Sequence, residues 1–107
     1  MSNRIKRHAP LLQHLSRSKP SEVKSIIKTA NKELINVFCE CALNVLRGVV
    51  PLTKGQKSRL RRHKKCLRDL INRKTSRGKK SKILQRGGFL GALLSPIIGI
   101  LGGLLGN

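Results

Sequence analysis

Aromatic residues are nearly missing from this chain: 107 residues contain two Phe, no Trp and no Tyr. That argues against reading single-stranded bases by stacking on aromatic platforms. It also leaves no residues for the aromatic belt of an anchored membrane protein. Acids are as scarce. Glu22, Glu33, Glu40 and Asp69 are the full set, and they are spaced as helix-surface partners rather than as paired catalytic carboxylates. No serine or cysteine stands in a nucleophile motif, and no glycine-rich loop joins a strand to a helix as a phosphate cradle. An enzyme is not expected. Cysteine is limited to Cys39, Cys41 and Cys66. The Cys39-Glu40-Cys41 spacing is too short for the usual zinc pair, and His8, His14 and His63 are scattered, so neither metal nor cofactor is expected. Reduced thiols acting as small apolar residues are the simpler reading. The opening MSNRIKRHAPLLQHLSRSKP carries charge without a sustained apolar run, so no secretory signal is expected.

What the chain has in excess is positive charge. Twenty-four Lys and Arg against four acids leave a net +20, which opposes compaction by self-repulsion. Fifteen of the cations lie between Lys54 and Arg86 with Asp69 as the one acid, a local net of +14. A net magnitude of roughly 2–8 suffices to keep a small domain soluble, so this stretch points to a polyanionic partner. Double-stranded DNA, with its dense phosphates, is the first candidate. The residues expected to neutralise phosphates are Lys54, Lys57, Arg59, Arg61, Arg62, Lys64, Lys65, Arg68, Arg73, Lys74, Arg77, Lys79, Lys80 and Lys82. Nothing marks a recognition helix with base-reading side chains, so binding without sequence preference is expected. The runs RLRRHKK and RGKKSK also have the composition of nuclear-import signals.

The organisation reads as all-α, a small domain of three to four helices with a basic N-terminal arm and an apolar, glycine-rich C-terminal tail. Residues 1–9 look like a disordered basic arm. Pro10 can open a short helix through Leu11, Leu12 and Leu15, and Pro20-Ser21-Glu22 starts a second, with Val23, Ile26, Ile27 and Ala30 on its apolar face. Leu34 to Leu46 carries the most continuous apolar helical pattern outside the tail, with Asn31 as a candidate cap, and is expected at the centre of the core. Gly48 and Pro51 terminate it. Thr53 with Gln56 fits a capping box, opening one long basic helix whose seam is Leu60, Cys66, Leu67, Leu70 and Ile71. Leu34, Val37, Phe38, Cys41, Val45, Leu60, Leu67 and Leu70 are expected to share one core. The helical domain then spans 10–73, and 74–88 is a basic linker.

Composition changes abruptly at Phe89. FLGALLSPIIGILGGLLGN holds no charge, five Gly and an internal Pro96. Its 19 residues barely reach the length of a spanning helix. Gly99 with Gly103, and Gly102 with Gly106, have the small-residue spacing that lets apolar helices approach closely. A buried core helix is opposed by two features: no polar face to turn toward water, and glycines that supply little volume. Insertion into an anionic membrane, docking on another protein and removal by cleavage are the functional readings of 89–107.

At the junction the chain reads Lys82-Ile83-Leu84-Gln85-Arg86-Gly87-Gly88-Phe89-Leu90. A basic region, a Gly-Gly pair and an apolar segment with an internal proline resemble the precursor of the adenovirus core protein X (mu) family. The X-like proteins of adintoviruses and Polinton (Maverick) elements are closer still, through NVLRGVVPLTKGQKSRLRRHKK from Asn44 to Lys65. The resemblance implies a virion core protein that condenses double-stranded DNA inside the capsid and works in the virion core and host nucleus. It also implies a viral cysteine protease cutting before Phe89, with Gln85, Arg86, Gly87, Gly88 and Phe89 as the junction. A membrane, or another capsid or core protein, would be the partner of 89–107. The adenovirus protein is arginine-rich and nearly structureless, whereas residues 20–73 here look helical.

Overall fold

Eight helices and no strand run through residues 2–102, the part of the chain that the computed structural model describes. In order they are α1 Asn3–Arg7, α2 Ala9–Arg17, α3 Pro20–Lys28, α4 Lys32–Leu46, α5 Lys54–Arg61, α6 Lys64–Ile71, α7 Arg77–Leu84 and α8 Phe89–Leu101. The class is all-α, but the helices number eight rather than three to four.

Several starts and stops follow directly from local chemistry. Pro10 and Pro20 sit in the first turns of α2 and α3, where the missing N–H costs nothing. The Asn31 side chain accepts from Leu34 N at 2.9 Å to cap α4, and Gly48 follows that helix at φ +73°, a conformation only glycine adopts cheaply. Thr53 and Gln56 form the full capping box of α5, at 3.1 and 3.0 Å.

Four expectations are corrected. The N-terminal arm is a helix, not a disordered segment: Ser2 caps α1 through Ile5 N at 3.2 Å, and Ile5 is fully buried. Arg4 and Arg7 hold α1 to α4 through Glu40 and Glu33, at 3.0 and 3.4 Å. Five residues are too few to show a helical period, and tertiary contacts decide their order. The long basic helix is two helices, broken at Arg62–His63. Leu60 is the buried residue of α5, which packs on α8, whereas Cys66, Leu67 and Leu70 are buried on α6, which packs on α4 and α7. A straight helix cannot serve both surfaces. No Gly or Pro marks the break. The linker 74–88 contains α7, capped by Ser76 through Lys79 N at 3.2 Å and anchored by buried Ile83 and Leu84.

The fourth correction matters most. Residues 89–101 are not a free tail but the central helix. Phe89, Leu93, Leu94 and Ile97 are wholly inaccessible, and Leu90 and Leu101 nearly so. α2, α4, α5 and α7 all pack on α8. A helix that is apolar nearly all round is buried inside a ring of others. Its less buried positions are Gly91, Ser95, Ile98, Gly99, Ile100 and Gly102, so small residues and two Ile near the C-terminal end take the place of a polar face. The radius of gyration, 12.6 Å, matches the ~13 Å of a folded chain this long, as it must if α8 is inside. No single helix among the described residues is long and apolar enough to cross a membrane; α7 and α8 pass that test only as a pair bent by 83°. Gly103 and Gly106, partners in the small-residue spacing, lie outside the described residues.

The core residues expected from sequence, from Leu34 and Phe38 to Leu67 and Leu70, do share one cluster, joined there by Phe89, Leu93, Leu94 and Ile97. Two kinds of variant follow. Phe38→Ala should cost about 3–5 kcal/mol and Leu93→Ala about 2–5 kcal/mol, read from chemical denaturation. A chain ending at Gly88 should lose its cooperative melt. A truncated chain that melts like the full one would show that α8 is dispensable.

Candidate nucleic-acid interface

The basic residues are displayed because their helices are anchored by the opposite side. α5 buries Leu60 alone, and Lys54, Lys57, Arg59 and Arg61 remain exposed, with Arg62 in the turn. α6 buries Cys66, Leu67 and Leu70 and leaves Lys64, Lys65 and Arg68 outside. Lys64 and Arg68 stand one turn apart, about 6 Å along the axis. Arg73 and Lys74 are exposed in the connection, and Arg77, Lys79 and Lys82 are exposed on α7. Lys80 is half-buried and lies against the Cys39 thiol.

These cations are left free by the acids. The two ion pairs among the described residues are Arg4–Glu40 and Arg7–Glu33, both between α1 and α4. Asp69, the one acid of the stretch, pairs with none of them. A row of solvated cations without carboxylate partners keeps its full charge for an incoming phosphate.

The structure sorts the predicted residues into groups. Lys57, Arg61 and Lys64 border one groove of about 290 Å³ with Leu46, Leu52, Leu60 and Leu67. Arg77 and Lys80 border a second cleft, of about 360 Å³, together with Lys32 of α4. Arg59 turns elsewhere: its Nη2 lies 3.8 Å from where a Cβ on Gly91 would stand, so it lies across α8 at one of its less buried positions. Lys32 was missed by sequence reasoning. It lies 45 positions before Arg77, and no local pattern joins them.

The junction residues form a folded turn, not an extended strand. Gln85 Nε2 donates to Ser81 Oγ at 3.3 Å, and Arg86 Nη1 reaches Cys66 Sγ at 3.4 Å. Gly87 and Gly88 are exposed, with Gly88 at φ +79°, and Phe89 N donates to Arg86 O at 3.3 Å. Phe89 itself is buried, its ring centroid 5.6 Å from that of His63. Glycine is required at Gly88 because its backbone turns through the left-handed region.

The cysteines are free: Cys41 and Cys66 buried, Cys39 half-buried. Burial, helped by the Glu40 charge and by Cys39, pushes the Cys41 thiol up to about 12. Among the described residues no group of three or more His, Cys, Asp or Glu could hold a metal ion. No family model, curated protein or solved structure matches the chain.

His63 carries a pH dependence. Burial first, then the charges of Arg59 and Arg62, lower its pKa below the ordinary 6.5. The fold therefore favours the neutral ring, and the unfolded chain takes up the proton first as pH falls. Stability should drop as pH descends from about 6.5 toward the folded value, then level off. His63→Gln should show a smaller drop in melting temperature over that window. A His63 ring titrating at or above 6.5 by NMR would contradict this.

Proposed function

We propose that this chain binds double-stranded DNA through its phosphates, without reading bases, and compacts it as a virion core protein acting in the virion and the host nucleus. The observation that carries the reading is the solvent-facing side of α5, α6, α7 and their connections: of fourteen Lys and Arg from Lys54 to Lys82, all but the half-buried Lys80 are exposed, and none pairs with a carboxylate among the described residues. The face is held by a folded core, so the cations are presented together at little cost in ordering. The resemblance to the X-like core proteins supports the same reading. Binding by neutralisation makes log affinity fall linearly with log salt. With ~6–10 phosphates contacted, the loss between 50 and 200 mM salt should be about 10³–10⁵, and random and fixed duplexes should bind alike. Affinity that ignores salt, or a strong preference for one sequence in competition, would refute it.

Membrane activity through 89–107 is the alternative. It would require α8 to leave the core, since burial of each large apolar side chain contributes roughly 1.5–3 kcal/mol. Protease processing before Phe89 is retained as a proposal in altered form. The turn offers exposed Gly87 and Gly88, but Phe89 must be drawn out of the core to lie in a protease cleft. A cut there would leave α8 seated among its neighbours. Incubation with the cognate cysteine protease should yield fragments ending at Gly88 and starting at Phe89 that still co-elute in gel filtration. A chain that resists cutting, or fragments that separate at once, would count against this.

A further inference from the structure

The cleft between the beginnings of α4 and α7 joins cations from inside and outside the basic stretch and adds polar groups to them. It is lined by Lys32, Ile35, Asn36, Thr75, Arg77 and Lys80 and holds about 360 Å³, within the range of small-ligand clefts. Three cations converge on it from two helices, and no acid lines it. The acid nearest in sequence, Glu33, is engaged by Arg7 at 3.4 Å. The remaining rim supplies an amide at Asn36 and a hydroxyl at Thr75, both half-buried, over a buried Ile35. We infer that this cleft is a discrete phosphate site, and that its occupant is a backbone phosphate of the bound duplex.

The chemistry fits a phosphodiester. The guanidinium of Arg77 can offer two parallel N–H groups to two phosphate oxygens, while Lys32 and Lys80 act as point charges. Both bordering helices begin at the cleft, so their positive dipole ends add to the same sign of field. Position fits as well. From Arg68, the last cation of α6, the chain passes exposed Arg73 and Lys74 to Thr75 on the cleft rim. A strand lying along α5 and α6 is thereby led onto α4, and Lys32 joins the interface from outside the basic stretch.

The inference rests on the DNA reading, and the experiment separates the two. Affinity for a short duplex is measured against salt for the full chain, for Lys32→Ala and for Lys24→Ala, an exposed cation on α3 away from the cleft. Folding of each is checked by its melt. Lys32→Ala should lower the slope of log affinity against log salt by about 0.9, the value of one phosphate on B-form DNA. Lys24→Ala should leave it unchanged. In a second arm, inorganic pyrophosphate is titrated into the full chain without DNA, followed by amide NMR. Saturable shifts should gather at Lys32, Asn36, Thr75, Arg77 and Lys80. If the full chain binds duplex and the two variants behave alike, the cleft site is wrong and the DNA reading stands. If the full chain binds no duplex, the backbone occupant falls with the DNA reading. Pyrophosphate shifts at those residues would then reassign the cleft to free phosphate compounds, and their absence would remove the site altogether.

Discussion

Burial of α8 is the constraint on which the rest of the molecule depends. A chain of net +20 repels itself, and an apolar core must offset that repulsion. α4 and α8 supply the two largest shares of this core, and α2, α5 and α7 close around α8. Beyond the α1–α4 ion pairs and the Arg86–Cys66 contact, the polar ties between elements include Gln56 Nε2 to Ser95 Oγ at 3.3 Å, Cys39 Sγ to Leu70 O at 3.4 Å and Ser81 Oγ to Ile27 O at 3.5 Å, and those to neutral groups are long. Apolar contact therefore carries most of the stability.

The same constraint shapes the charged surface. Because α5 and α6 each commit one narrow side to the interior, most of their other positions face water, and those exposed positions are mostly Lys and Arg. The break at Arg62–His63 lets α5 cover α8 while α6 covers α4. Charge presentation and core closure are two sides of one arrangement. A structureless polycation would have to order itself on its partner at an entropic cost; here that order is already present. The Gly87-Gly88 turn links the two halves of the arrangement, since it joins the last basic helix to the first buried ring of α8.

Much of this was legible in the residues themselves. The 3.6-residue pattern from Leu34 to Leu46, with Asn31 before it and Gly48 after it, specifies α4, and the Thr53–Gln56 box specifies the start of α5. Helical periodicity and capping are local, so a single sequence records them. The displayed cations are legible for the same reason: long charged side chains stay in water almost wherever the backbone goes.

Other features depend on what lies next to a segment, which hydropathy alone does not encode. Apolar residues from Phe89 to Leu101 are compatible with lipid, with another protein or with this protein's own interior. Only the packing of α2, α4, α5 and α7 around them selects the interior. α1 is five residues long and gains its order from Ile5 and from the Arg4–Glu40 pair, contacts that exist only once α4 is in place. The cleft joins Lys32 to Arg77 and Lys80, which lie 45 and 48 positions further along the chain. Charge and the starts of α2 to α5 were set by the sequence, whereas the meeting of those charges was set by tertiary packing, because a cleft forms only where α7 comes to rest on α4.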